Sequence, residues 1–127
     1  MTYTARRSAL VIEDSESIRT MLRHMLDGAA IRVVEAKDGA EGLRHLRDDS
    51  TIGLVFLDLN MPGMNGLEVL KQIRAEPTLE GLPVVLLTGS SADDLATAKD
   101  LGATGWLHKP VRGEAVLKIA RSFLPVG

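Results

Sequence analysis

The feature that most narrows what this chain can fold into is a pair of strand-length runs with no polar alternation. Residues 52–57 read IGLVFL and stop at Asp58; residues 83–88 read PVVLLT and stop at Thr88. A strand with one wet face alternates apolar and polar residues. A run that does not alternate is covered on both faces, as at the centre of a parallel sheet flanked by helices. In open α/β sheets the chemistry sits outside the carboxyl ends of the strands, where Asp58 and the turn NMPG at 60–63 would lie.

The rest of the chain supplies the flanking elements. SALVI at 8–12 is a short β-prone run followed at once by Glu13 and Asp14. Ile18, Met21, Leu22, Met25 and Leu26 then recur at i, i+3, i+4, i+7 and i+8, an amphipathic helix that Asp14 or Ser15 would cap and that ends near Gly28. A second strand is expected over 31–36. Asp38 and Glu41 form a capping-box pattern for a helix over 39–48 that buries Ala40, Leu43 and Leu46. Gly42 lowers that helix's propensity by about 1 kcal/mol relative to alanine. Leu67, Leu70 and Ile73 mark a third helix closed by Pro77. Ser91 and Asp94 read as a capping pair for a fourth helix with a thin apolar face of Leu95, Ala98 and Leu101. A glycine-interrupted fifth strand over 102–108 stops at Lys109 and Pro110, and a last helix over 112–123 would bury Val116, Ile119, Ala120 and Phe123.

Five strands alternating with five helices predict a (βα)5 α/β fold, doubly wound around a five-stranded parallel sheet in the flavodoxin-like manner. All of residues 1–127 are expected to form one domain, since 127 residues suit one core. A net charge of -2 with no basic run argues against direct nucleic-acid binding. The absence of cysteine excludes disulfides and thiolate metal sites. No run approaches the ~20 apolar residues of a membrane span, and residues 9–12 are too short for a signal segment. A soluble, cytoplasmic protein is expected.

The groups placed just after the strands give the chemistry. If all strands are parallel, Glu13, Asp14, Asp58, Thr88 and Lys109 share one edge of the sheet. Three clustered carboxylates repel unless a cation lies among them, and oxygen ligands with room for water suit Mg²⁺. With Lys109 as a second positive charge and Thr88 as a hydroxyl, the edge could hold a phosphoryl group. Asp58 could then attack phosphorus to form an acyl phosphate. Singly, each group has a plainer explanation, as a helix cap, a strand-end ion pair or a turn hydroxyl. Their joint occurrence favours the chemical reading.

The blocks VIEDS at 11–15, LDLNMPGMNG at 57–66, LTG at 87–89 and GA…LHKP at 102–110 resemble the receiver domains of two-component response regulators. The resemblance covers essentially the whole chain, and it is closest to stand-alone, chemotaxis-type regulators. It implies phosphorylation of Asp58 by a histidine kinase or a histidine phosphotransfer protein. It also implies Mg²⁺ held by Glu13, Asp14, Asp58 and the main-chain carbonyl of Asn60, with Thr88 and Lys109 contacting the phosphoryl group. The only reaction expected is the chain's own phosphorylation and dephosphorylation. Output would pass to a protein partner through the surface of the fourth helix, fifth strand and fifth helix. Two positions depart from the usual pattern. Glu13 stands where many receivers have aspartate, and its longer arm is expected to reach the metal through water. Trp106 stands where the switch aromatic is usually Tyr or Phe.

Two readings from other classes compete. A phosphohydrolase with an aspartyl-phosphate intermediate needs a second aspartate two residues on as general acid–base, and that residue is Asn60. A flavodoxin-like cofactor binder needs a glycine- or hydroxyl-rich phosphate loop after its first strand, where Glu13 and Asp14 would repel the phosphate.

Overall fold

The structure is a computed structural model that describes residues 6–89 and 92–124, the side chains of 92 and 93 excepted. Five strands, β1 (Ser8–Ile12), β2 (Arg32–Ala36), β3 (Ile52–Asp58), β4 (Val84–Thr88) and β5 (Gly105–His108), pair in parallel in the order β2-β1-β3-β4-β5. Five helices connect or follow them: α1 (Glu16–Gly28), α2 (Gly39–Asp48), α3 (Gly66–Ala75), α4 (Ala92–Asp100) and α5 (Gly113–Phe123). The expected α/β architecture and flavodoxin-like winding are therefore present.

Burial follows from strand position. Every residue of β1, β3 and β4 is buried, whereas edge strands β2 and β5 are partly exposed and carry Arg32, Glu35 and His108. Alternate side chains of the central strands enter two separate cores. Leu10, Ile12, Val55, Leu57, Val84 and Leu86 meet α2, α3 and α4 through Leu43, Val69, Leu70, Ile73 and Ala98. Ala9, Val11, Leu54, Phe56, Val85 and Leu87 meet α1 and α5 through Leu22, Leu26, Val116 and Ala120. Right-handed crossovers account for the split: the chain steps outward from β1 to β2 in one direction, then travels across the sheet in the other. The direction reverses beside β1, and the crevice for a ligand opens between the ends of β1 and β3.

Several local expectations need correction. Gly42 does more than weaken α2. A Cβ there would stand 2.3 Å from Ile12 Cδ1, so the bare glycine lets α2 lie directly on β1. Ala40 is exposed because it falls at the margin of the stripe formed by Gly39, Gly42, Leu43 and Leu46. Met21 also faces solvent, at the margin of the α1 stripe, and so does Phe123, the last residue of α5. The fifth strand starts only at Gly105, since the chain first turns through Gly102 at φ 97°. The predicted Ser91–Asp94 cap lies outside the described residues.

The exit from α1 also differs. Gly28 remains helical, and the left-handed residue is Ala30, at φ 62°. Ile31 donates its N–H to Leu26 O at 2.9 Å and Ala30 donates to Asp27 O at 3.0 Å, the double closure of a Schellman motif, in which glycine is the favoured residue at the left-handed position. Ala30→Gly is accordingly expected to stabilise the fold by about 0.5–1 kcal/mol, the Cβ strain relieved less the extra entropy of an unfolded glycine. A thermal melt should show the midpoint rising by roughly 2–4 °C, and Ala30→Val should lower it.

Candidate functional site

Four strand ends and one turn build the site. Asp58 is the last residue of β3, completely buried. Its Oδ1 accepts the Asn60 N–H at 3.0 Å and lies 3.1 Å from Lys109 Nζ. The segment after it is tightly placed: Gly66 N–H donates to Leu59 O at 3.0 Å, and a Cβ on Gly66 would stand 2.5 Å from Asp58 O. Only glycine lets the start of α3 come this close to the strand that carries Asp58.

Ser15, not Asp14, caps α1, accepting the Ile18 N–H on its Oγ at 3.3 Å. Asp14 is thus left exposed beside the strand ends without a capping duty. Glu13 is fully buried. Its Oε1 accepts the Ser15 N–H at 3.2 Å, and its Oε2 lies 3.4 Å from Lys109 Nζ. Carboxylate oxygens of Glu13, Asp14 and Asp58 all lie within 4.8 Å of one another. The sequence expectation that these acids share one sheet edge therefore holds.

Lys109 reaches them because its N–H donates to Thr88 O at 2.8 Å, extending the β4–β5 pairing by one residue. Its ammonium then sits between two buried carboxylates. Thr88 closes β4, buried, opposite His108 in register. Trp106 pairs with Leu86 two residues earlier. Residues in register share a face, so Trp106 lies on the Leu86–Thr88 side of the sheet, but the residue is 41% exposed on the edge strand.

The electrostatics are unbalanced. Burial, and then the charge of Asp58, push the Glu13 carboxyl up to about 7, against the pull of the Ser15 N–H and of Lys109. Burial draws Lys109 down. The hydrogen bond to Asp58 and the charges of Glu13 and Asp58 more than offset this and hold the ammonium above its usual value. Asp58 Oδ2 and Glu13 Oε2 are buried without a hydrogen-bond partner among the described residues. Two buried carboxylate oxygens without a hydrogen bond, one of them with only the Lys109 ammonium 3.4 Å away and a third carboxylate beside them, are what a hard cation with oxygen ligands would satisfy. The donor set fits a metal ion.

One participant is not legible in the sequence. Arg19, in sequence one more charge on an amphipathic helix, donates from Nη1 to the carbonyl of Glu13 at 2.6 Å. Its other neighbour is Glu35 on β2, 3.5 Å from Nε. No spacing rule links positions 13, 19 and 35; the sheet brings them together.

Known proteins are similar to this chain in sequence and fold. The model of the response regulator receiver domain matches residues 9–121. The chain is 40% identical over 111 residues to the nitrate/nitrite response regulator NarL of Escherichia coli, covering 86% of this chain and 50% of NarL. It is 36% identical over 121 residues to the transcriptional regulatory protein AfsQ1 of Streptomyces coelicolor, covering 94% of this chain and 52% of AfsQ1. The chain thus spans about half the length of these two relatives. A crystal structure of the chemotaxis protein CheY4 of Vibrio cholerae superposes with a TM-score of 0.87 at 36% identity, over 94% of this chain and all of that one. With the fold, the acidic strand ends and these relatives in agreement, the chain belongs to the response regulator receiver domains, the phosphoacceptor signalling domains of two-component systems.

Proposed function

We propose that Asp58 is the phosphoacceptor and that the chain works as one receiver domain in the cytoplasm, loaded by a histidine kinase or a histidine phosphotransfer protein. The observation that carries this is the pair of buried carboxylates sharing Lys109, each with one oxygen that makes no hydrogen bond, beside the exposed Asp14. A carboxylate oxygen of Asp58 forms the bond to phosphorus as the bond from phosphorus to the donor's nitrogen breaks, and the electron pair leaves with the imidazole. The product is an acyl phosphate on Asp58.

Glu13, Asp14, Asp58 and the Asn60 carbonyl would hold Mg²⁺, which when bound would supply positive charge for the transferring group. Lys109 is the protein's own counter-charge there, already within 3.1 Å of Asp58. Asn60 cannot act as a general acid–base, so the chain catalyses only its own phosphorylation and dephosphorylation. Neither the phosphohydrolase nor the cofactor-binding reading gains support from an acid pair at the end of β1.

Phosphate can shift a two-state equilibrium only through contacts made better in one state. Lys109 and the Thr88 hydroxyl are the contacts at hand, and Trp106 lies on the same side of the sheet as Thr88. The α4 helix presents a thin apolar face, with Ala98 buried but Leu95 and Leu101 only partly so, so it is held weakly. The reading is that Trp106 moves inward on phosphorylation and reshapes the α4–β5–α5 surface for a protein partner. Trp106 is the only tryptophan, so its emission reports the step. Adding a beryllofluoride mimic with Mg²⁺ should blue-shift the emission and reduce quencher access, and Thr88→Ala should blunt both changes. An unaltered Trp106 signal with the mimic demonstrably bound would contradict the switch.

A further inference from the structure

At the end of β1 the peptide entering Glu13 is held by β2, and the carbonyl of the peptide between the two acids is held by a side chain of α1. Glu13 donates its N–H to Ala36 O at 3.0 Å, and its carbonyl accepts the 2.6 Å bond from Arg19 Nη1. Arg19 is itself held: its side chain is only 15% exposed, its Nε lies 3.5 Å from Glu35 Oε1, and Arg23 Nη1 donates to Glu35 Oε2 at 3.0 Å. The Glu13–Asp14 peptide is planar, so fixing its carbonyl fixes the direction in which the chain enters Asp14. One bond thereby constrains the peptide plane that joins the Cα atoms of the two acids.

We propose that Arg19, braced by Glu35, is a positioning residue for the cation site. It holds the peptide between Glu13 and Asp14 so that their carboxylates converge with that of Asp58. The inference rests on reading those three acids as Mg²⁺ ligands. Groups that orient metal ligands from behind change metal affinity when removed, though they never touch the ion.

The sign of the effect separates this role from two plainer ones. If Arg19 acted only through its charge, removing it would lessen repulsion and tighten Mg²⁺ binding. If it only satisfied a buried carbonyl, its loss would lower stability and leave the affinity of the folded protein unchanged. Positioning alone predicts weaker binding.

Mg²⁺ titration by calorimetry on wild type, Asp14→Ala, Arg19→Gln, Arg19→Lys and Arg23→Gln tests this. Arg19→Gln should weaken Mg²⁺ about tenfold, the lower end for such supporting residues. Arg23→Gln makes the same charge change on the same Glu35 without touching Glu13, and should stay within about twofold of wild type. Unchanged or tighter binding in Arg19→Gln, or an equal loss in Arg23→Gln, overturns the proposal. If Arg19→Gln does not fold, Arg19→Lys carries the test. A single ammonium cannot span both acceptors as Nη1 and Nε do, so a loss of about threefold is expected and none would overturn it. A wild type that binds no Mg²⁺, or an Asp14→Ala that binds it undiminished, removes the cation site itself. That result is read in other samples and is distinct from failure of Arg19 alone.

Discussion

Asp58→Asn is expected to abolish phosphorylation while leaving the fold intact or firmer. In acetyl phosphate and Mg²⁺ the wild type should gain one covalent adduct of ~80 Da, the mass of a single phosphoryl group. The asparagine variant should gain none. The amide keeps an oxygen for the Asn60 N–H that Asp58 now accepts at 3.0 Å, so the turn before α3 is preserved. What disappears is the nucleophile, because an amide oxygen does not form a stable acyl phosphate. The substitution also removes one of two negative charges buried around Lys109. The charge of Asp58 is the second cause, after burial, of the raised Glu13 carboxyl, so the thermal midpoint of the metal-free variant should rise at neutral pH. Lys109→Ala should do the reverse. It leaves Glu13 and Asp58 buried without their shared cation, at a loss of about 2–3 kcal/mol once the partial exposure of Lys109 is allowed for. An adduct of the same mass retained in Asp58→Asn would move the phosphoacceptor elsewhere.

Magnesium binding should be weak at pH 6 and strengthen through pH 7, with a proton released on binding. Glu13 titrates near 7 where a glutamate ordinarily titrates at 4.5, and a carboxylic acid must lose its proton to serve a cation. The sign for stability is opposite. A carboxyl whose value is raised on folding favours the fold fully below its unfolded value, and that contribution fades as pH climbs through the folded value. For Glu13 the window runs from about 4.5 to about 7, and the loss is about 3 kcal/mol at its upper end. The metal-free protein should therefore melt lower at pH 8 than at pH 5, and saturating Mg²⁺ should restore much of the difference. Asp14→Ala should remove both the restoration and the phosphorylation, because it deletes the exposed member of the three-acid cluster. A metal-free melting point that rises from pH 5 to pH 8 would contradict the account of Glu13. Proton release can be read by running the calorimetric titration in two buffers of different ionisation enthalpy.

Much of this was open to a reader of the sequence, for reasons that are local. The runs at 52–57 and 83–88 lack polar alternation because β3 and β4 are covered on both faces, so the pattern that predicted central strands is the imprint of their burial. The helix stripes of α1, α3 and α5 likewise report which side meets the sheet. Since every strand is parallel, all strand ends point one way, and the acids, Thr88 and Lys109 could be assigned to one edge by counting. Where the sequence misled, the competing influence was packing at a margin. Ala40 and Met21 fit the apolar spacing but fall just outside the covered stripe, and Phe123 fits it but stands at the very end of α5. Gly42 reads as a weak point of a helix until Ile12 is seen beneath it.

The sequence by itself determined the order of elements, the winding and the roster of chemical groups, because periodicity and strand-end position are properties of neighbours in the chain. Only the tertiary structure decided which oxygen each group offers and to whom. Ser15 takes the cap and frees Asp14 through a contact only three residues along. That Lys109 divides itself between Glu13 and Asp58, and that Arg19, paired with Glu35 on β2, reaches back to the Glu13 carbonyl, both depend on distances across a twisted sheet. Those contacts join residues up to 96 positions apart (Lys109 and Glu13, 109 − 13). Electrostatic coupling at such separations is set by burial and geometry in three dimensions. The raised Glu13 carboxyl is its clearest product, since nothing in the string VIEDS distinguishes an acid that will be fully buried from its neighbour that stays in water.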